Sequence, residues 1–174
     1  MKTLLASAAL IAQLALPAFA ADLSAKDVAA IEKVIEASNA AFLRGDAGAI
    51  ADVTSERLLE AVGGRAKYVE SIQAGIAGVH AQGITIVSHA EEPPAPPVKA
   101  GAFIVSVVKE TTIMEARGRK MRNDGFTVVV RPAAGGPWKL IGGNGVSQNP
   151  GVMAMLYPGF PEDYKFPPYT TVPM

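Results

Sequence analysis

The stretch AFIVSVVKETTIMEARGRKMRNDGFTVVVR, residues 102–131, determines the predicted fold of this chain. Its first half has apolar residues at positions that share one face of a strand, and its second half carries the run FTVVV, which is rich in β-branched residues. Both patterns are typical of half-buried strands. Gly118 marks a turn between the halves. We therefore predict an antiparallel hairpin with strands over residues 102–115 and 120–131, and with Phe103, Val105, Val107 and Ile113 on one side of the first strand.

Three helices are predicted before this hairpin. Ser24 is placed to cap the first helix, whose apolar residues recur at helical spacing as far as Phe42. A short second helix is predicted over residues 47–53 and a third over residues 65–80. Residues 56–62 are ambiguous.

Shorter strands flank the hairpin, over residues 84–90 and 138–141. The run PPAPP at residues 93–97 cannot lie in a central strand and predicts a rigid connecting loop. Because helices come first and antiparallel strands second, the order predicts an α+β fold in which the helices cover one face of a curved sheet.

The last segment, residues 148–174, is rich in proline and aromatic residues and poor in charge. We predict that this tail is irregular and extended. Its aromatic side chains are expected to pack either on the body of the domain or on a second subunit.

Residues 1–20 have the pattern of a cleavable secretory signal. Lys2 is followed by an apolar run, and the segment ends in Pro-Ala-Phe-Ala, with small residues where a signal peptidase cuts. The apolar run is too short to span a membrane, which takes about 20 residues. We expect cleavage between Ala20 and Ala21 and a periplasmic or secreted protein without a stable membrane anchor.

Charge and cysteine content exclude several classes of function. The chain has 16 basic and 16 acidic residues, and removal of Lys2 with the signal would leave 15 basic residues. This balance argues against nucleic acid as a partner, which requires a concentrated positive surface. The absence of cysteine excludes disulfides and thiolate metal ligands. With two histidines in addition, we expect neither a metal site nor a cofactor.

The order of elements resembles the nuclear transport factor 2-like superfamily, which includes SnoaL-like and ketosteroid isomerase-like proteins. The residues that carry the resemblance are FLRGD at 42–46, GGR at 63–65 and PWKLI at 137–141. The resemblance covers about residues 26–147. We therefore divide the chain into a signal (1–20), a domain of this family (21–147) and the tail (148–174). The resemblance implies a cystatin-like cone, with a sheet wrapped around the long first helix, a cavity at its open end, and often a homodimer formed through the sheet.

Several residues are candidates for catalysis. Isomerases of this superfamily use a shielded carboxylate as base, and Glu60 lies closest to that place, although the tyrosine donor of those enzymes is missing. Dehydratases use a histidine with an acid, and His80 and His89 are the two histidines. Epoxide hydrolases use an Asp-Arg-Asp set, which Asp124 with Arg117 or Arg122 imitates in part.

The candidate ligand-binding residues are Phe42, Tyr68, Phe103 and Arg117. Glu115 and Arg117 are expected to share a face of the long strand as a surface ion pair. The run GGNG at 142–145 is not interpreted as a phosphate-binding loop, because the lysine is missing and no helix is expected after it.

The sequence favours a domain that binds a small apolar or amphipathic molecule without converting it. Two alternatives remain. One is a cofactor-independent isomerase, dehydratase or hydrolase that uses a carboxylate or histidine in the cavity. The other is an interaction protein whose tail docks a partner.

Overall fold

The computed structural model describes residues 22–174, which form an α+β fold. Four helices come first, and a curved antiparallel sheet of six strands follows. The helices are α1 (Ala25–Leu43), α2 (Ala47–Val53), α3 (Glu56–Ala61), α4 (Arg65–Ala81), α5 (Gly143–Gln148) and α6 (Val152–Leu156). The strands are β1 (Ile84–Glu91), β2 (Val98–Ala100), β3 (Phe103–Ala116), β4 (Arg119–Pro132), β5 (Lys139–Gly142) and β6 (Thr170–Pro173).

The start of α1 is fixed by a capping box. The Ser24 hydroxyl accepts a hydrogen bond from the backbone N–H of Asp27, and the Asp27 carboxylate accepts from Ser24 in return. The prediction of three helices before the sheet was wrong by one, because the ambiguous residues 56–62 contain the short helix α3. Six residues are too few for a periodic pattern to distinguish a helix from a strand.

The hairpin of β3 and β4 is the centre of the sheet. Their register pairs Phe103 with Pro132 at one end and Ala116 with Arg119 at the other. Strands β1 and β2 both pair with β3, and β5 and β6 both pair with β4, so the sheet remains open. Strand β2 was not predicted, whereas the two long strands, β1 and the loop over the proline run follow the sequence pattern closely.

The hairpin turn consists of Arg117 and Gly118, which have φ values of 53° and 72°. Two consecutive positive φ values match the right-handed twist of the flanking strands, and glycine meets that demand without strain. The prediction that Glu115 and Arg117 share a strand face was wrong, because β3 ends at Ala116 and Arg117 lies in the turn.

One face of the sheet, called here the helix face, packs against α1. Its core residues Val108, Val129 and Leu140 lie against Ile31 and Ile35 of α1. A smaller cluster joins α1, α2 and α4 through Ala41, Ile50 and Ile76. Helices α1, α2 and α4 therefore lie on one face of the sheet, as the sequence predicts for its three helices.

The opposite face, called here the tail face, is covered by the C-terminal segment. Val105, Val107, Phe126, Val128 and Ile141 form one cluster with buried residues of the last 30 positions, namely Val146, Met153, Leu156, Tyr157 and Phe160. The prediction of an irregular tail was wrong in part, since the tail contains α6 and β6. Its aromatic residues pack on the body of the domain, which leaves this part of the sheet covered by the chain itself.

The glycine run after β5 adopts a conformation that the sequence analysis did not anticipate. Helix α5 begins at Gly143, so the expectation that no helix follows was wrong. A Cβ on Gly143 would clash with the carbonyl oxygen of Phe126, which shows that the helix start packs directly on the backbone of β4. Glycine is therefore needed here for close approach.

The signal and cleavage site at residues 1–20 lie outside the described residues. Within residues 22–174, no helix is long and apolar enough to cross a membrane.

Candidate functional site

A cavity of about 500 Å³ lies between the helices and the helix face of the sheet. Helices α1, α2 and α4 contribute Phe42, Ile50, Tyr68 and Ile72 to its wall, and the tail contributes Tyr169. The complete lining is Ser38, Asn39, Phe42, Ile50, Thr54, Tyr68, Ser71, Ile72, Gly75, Ile76, Val79, Thr127, Leu140, Gly142, Asn144 and Tyr169. A mainly apolar wall with a few polar groups is typical of small-molecule sites.

The phenol of Tyr68 supplies a polar group within this wall. Its oxygen lies 3.2 Å from Oγ1 of Thr54, whose hydroxyl also donates a hydrogen bond of 2.8 Å to the carbonyl of Ile50. Thr54 shares its one hydrogen between the carbonyl of Ile50 and the phenol oxygen of Tyr68, which accepts it. The hydrogen of the Tyr68 hydroxyl therefore remains available to donate to a ligand.

A cluster of ionisable side chains lies beside the cavity on the helix face. The Nδ1 atom of His89 lies 2.9 Å from Oγ1 of Thr112, and its Nε2 lies 3.3 Å from Oε1 of Glu91. The side chains of His89 and Glu91 are only 22% and 23% exposed. Glu91 pairs with Glu110 across β1 and β3, which places the two carboxyl groups on the same face.

Burial changes the proton affinity of both carboxyl groups. Desolvation raises the pKa of Glu110, although a hydrogen bond with Thr127 and the nearby His89 act in the opposite direction. Desolvation also raises the pKa of Glu91, against the effect of His89, and the charges of Glu32 and Glu36 on α1 add to the increase. A carboxyl group with a raised pKa holds its proton closer to neutral pH and can act as a general acid.

Three side chains connect this cluster to the cavity. Asn39 lines the cavity and donates a hydrogen bond of 3.4 Å to Glu91. Thr127 lines the cavity and hydrogen-bonds Glu110. Burial raises the pKa of Tyr169, and the charge of Glu110 raises it further. The cluster and the cavity therefore form one site, with the ionisable groups one side chain removed from the cavity wall.

The residues singled out from sequence are distributed over the whole molecule. Phe42 and Tyr68 line the cavity, and His89 belongs to the adjacent cluster. Glu60 and His80 are exposed on α3 and α4. Arg117 is exposed in the hairpin turn.

Asp124 and Phe103 lie on the tail face of the sheet. Asp124 accepts hydrogen bonds of 2.8 Å from Thr111 and Arg122, which lower its pKa. The structure thus pairs Asp124 with Arg122 but places both away from the helix-face cavity. Phe103 lines a smaller cavity at the end of the sheet.

Sequence reasoning missed Glu91, Glu110 and Tyr169 as members of the site. Glu110 carried only a weak signal, because it lies in the polar stretch of β3 from Lys109 to Thr112. Tyr169 carried none, since nothing in a proline-rich tail indicates where its ring returns to the domain. Among residues 22–174, no group of three or more histidine, cysteine or acidic side chains is placed to hold a metal ion.

No protein-family model, curated protein or solved structure matches this chain. The resemblance to the nuclear transport factor 2-like superfamily therefore stays a prediction, and the function is argued from the geometry of the site.

Proposed function

We propose that this chain is an exported domain of the nuclear transport factor 2-like type that binds a small apolar or amphipathic molecule in the helix-face cavity. The order of helices and strands, together with the residues that carry the resemblance, supports the fold family. The N-terminal pattern of residues 1–20 supports export to the periplasm or beyond. A homodimer remains compatible with this proposal through surfaces other than the covered part of the tail face.

The observation that carries the proposal is the size and chemistry of the cavity. A volume of about 500 Å³ accommodates a compact organic molecule. Phe42, Ile72 and Val79 supply apolar contact, whereas Tyr68 and Asn39 offer hydrogen bonds that would orient one polar group of the ligand. An amphipathic ligand satisfies both parts of this wall.

Gly75 permits a direct test, because it lines the cavity and a Cβ there meets no atom within 4 Å. A leucine at this position fills the cavity without a clash at its Cβ. The neutral dye N-phenyl-1-naphthylamine should fluoresce on binding to the wild type, and Gly75→Leu should weaken its binding at least tenfold. Gly78→Leu is the matched control, since Gly78 lies on the same helix, outside the cavity, and is equally free of neighbours. Equal binding by both variants would refute the proposed site.

Native mass spectrometry of the protein purified from periplasm would identify the natural ligand. We expect a retained small molecule on the wild type and its loss from Gly75→Leu. A wild type that carries no molecule and also fails to bind the dye would contradict a ligand-binding function.

Acid–base catalysis is a second candidate, and the raised pKa of Glu110 beside the cavity favours it. Neighbouring His89 and Glu91 provide a further acid–base pair. A group that exchanges a proton with the ligand must reach it, which requires a ligand that extends past Thr127 or a bridging water molecule.

The two candidates differ in what Glu110→Gln does to the retained molecule. If the chain is a catalyst, the Glu110→Gln protein should bind the molecule as the wild type does but should no longer convert it. Mass spectrometry of the molecule over time measures the conversion. Glu60→Gln, at an exposed position, serves as the control and should convert it normally. If the wild type releases the molecule unchanged, binding is the function.

A tail that docks a partner protein has less support. Tyr157 and Phe160, which would anchor a partner, are 1% and 4% exposed and belong to the core. Tyr169 lines the cavity and is 40% exposed, so it is engaged with the domain without being fully buried.

A further inference from the structure

A second cavity, of about 210 Å³, lies at the end of the sheet where β3 begins and β4 ends. Phe103, Val130, Pro132 and Pro137 give it an apolar wall. Arg57, Lys139 and the hydroxyl groups of Ser55 and Tyr157 supply its polar groups. This composition differs from that of the helix-face cavity, because charged side chains, mostly cations, lie in its wall, whereas the lining of the helix-face cavity holds no charged residue.

Arg57 is the most exposed of these cations and is held over two aromatic rings. Its guanidinium carbon lies 4.6 Å from the ring centroid of Phe103 and 5.6 Å from that of Tyr157, and its Nη1 donates a hydrogen bond of 2.7 Å to the carbonyl of Leu156. Within residues 22–174, no carboxylate lies within 4.0 Å of Arg57. The side chain is therefore positioned in advance while its charge remains unmatched.

The other charged groups of this cavity leave it positive. Lys139 donates a hydrogen bond of 2.6 Å to the backbone carbonyl of Asp52, and in the described part of the chain it has no carboxylate partner. Arg131 is neutralised by Asp27 at 3.2 Å. Glu56 also lines the cavity. Arg57 and Lys139 against Glu56 give an excess of one positive charge.

The buried hydroxyl pair of Ser55 and Tyr157 supplies a further donor. The two oxygens form one hydrogen bond with each other, and the side chains belong to residues that are 3% and 1% exposed. Whichever hydroxyl donates, the hydrogen of the other has no acceptor among the described residues. Such a hydrogen, at the wall of a cavity, favours a ligand that brings an acceptor oxygen.

We propose that this cavity binds a small organic carboxylate with an apolar or aromatic body, and that Arg57 and the hydroxyl pair hold its oxygens. A carboxylate satisfies a guanidinium and a hydroxyl donor at once. The aliphatic wall of Val130, Pro132 and Pro137 contacts the body of the ligand. This site is separate from the helix-face cavity, so its occupancy does not depend on the function proposed there.

Benzoate and its uncharged analogue benzamide test the charge requirement on the full chain by isothermal titration calorimetry. We expect saturable binding of benzoate and at least tenfold weaker binding of benzamide. Trp138, the one tryptophan of the chain, reports whether benzoate binds in this cavity. It follows Pro137, and its ring centroid lies 5.1 Å from the guanidinium carbon of Arg131, and both of these residues line the cavity. Benzoate should therefore change its fluorescence. Equal affinity for both molecules, or no saturable binding, would overturn the proposal.

Arg57→Gln should weaken benzoate binding at least tenfold. Arg44→Gln removes the same charge from an exposed position at the end of α1 and should leave the affinity unchanged. Tyr157→Phe should weaken binding about threefold or more in a folded protein, which circular dichroism checks.

Gly75→Leu should bind benzoate as the wild type does. Equal effects of Arg57→Gln and Arg44→Gln would show a nonspecific charge effect, and loss of binding in Gly75→Leu would place benzoate in the other cavity.

Discussion

The ring of Tyr169 lies so close to the backbone of Gly125 that a Cβ at Gly125 would come within 2.7 Å of the ring Cε2 atom. Gly125 pairs with Glu110, and Tyr169 lines the helix-face cavity. The tail therefore covers the tail face with Tyr157 and Phe160 and then reaches the other face with Tyr169. One C-terminal segment contributes to the core and to the wall of the candidate site.

Gly125→Ala should displace Tyr169 from the cavity. Because the ring is the far end of a side chain, it can move, and we expect a loss of about 1–3 kcal/mol in the free energy of unfolding. Urea denaturation measures this change. Gly78→Ala is the control with the same added methyl group. It lies inside α4 with no atom within 4 Å and should raise the free energy of unfolding by up to about 1 kcal/mol. A neutral Gly125→Ala would contradict the contact.

Gly143→Ala should be far more damaging than Gly145→Ala. A Cβ at Gly143 would clash with the backbone carbonyl oxygen and carbon of Phe126, and backbone in the centre of a sheet cannot move aside. We expect a loss of at least about 3 kcal/mol in the free energy of unfolding. Gly145 lies in the same short helix with no atom within 4 Å, and its variant should be neutral or slightly stabilised. Thermal unfolding of the two variants gives the comparison, and similar melting temperatures would refute the close packing.

The long strands were predictable because each contains a run rich in β-branched residues, IVSVV at 104–108 in β3 and TVVV at 127–130 in β4, and because a glycine marks the turn between them. The site was less predictable because of a bulge in β1. The register of β1 shifts between Ile86 and Ser88, so Ile84 and Ile86 before the bulge face the same side as His89 and Glu91 after it. Simple alternation would place these two pairs on opposite faces. Because of this one extra residue, the alternation of β1 does not predict that His89 and Glu91 lie on the same face as Ile84 and Ile86.

The tail was predicted poorly for a different reason. Its proline residues favour irregular backbone, and α6 has only five residues, which is too short for a periodic signal. Its position depends on contacts distant in sequence, such as Phe126 stacked on Phe166 at 5.4 Å between ring centroids. Composition indicated that the aromatic side chains would be buried but not which face of the sheet they would cover.

Removal of residues 149–174 should prevent stable folding. Met153, Tyr157 and Phe160 are almost fully buried, and the loss of each large buried side chain costs about 2–5 kcal/mol against a total stability of about 5–15 kcal/mol for a domain. We expect the truncated chain to show no cooperative unfolding transition by circular dichroism. Removal of the exposed residues 170–174 alone should retain the transition. A cooperatively folded chain that ends at residue 148 would show that the tail is not part of the core.

Glu110→Gln should make the stability of the domain less sensitive to pH. Burial raises the pKa of Glu110 above its ordinary value of 4.5, so the folded state binds this proton more tightly than the unfolded state. That contribution to stability is complete below pH 4.5 and is lost as the pH rises through the folded-state pKa. Glutamine keeps the shape and the hydrogen bond with Thr127 and has no charge to desolvate.

The melting temperature of Glu110→Gln relative to the wild type should therefore rise from acid towards neutral pH and stay level below pH 4.5. His89, Glu91 and Tyr169 face Glu110 in both proteins, so their contributions largely cancel in the difference. Glu60→Gln removes a carboxyl group from an exposed position and is the control for the loss of one negative charge. A difference that is independent of pH would mean that Glu110 is not desolvated, and the case for proton transfer beside the cavity would fail with it.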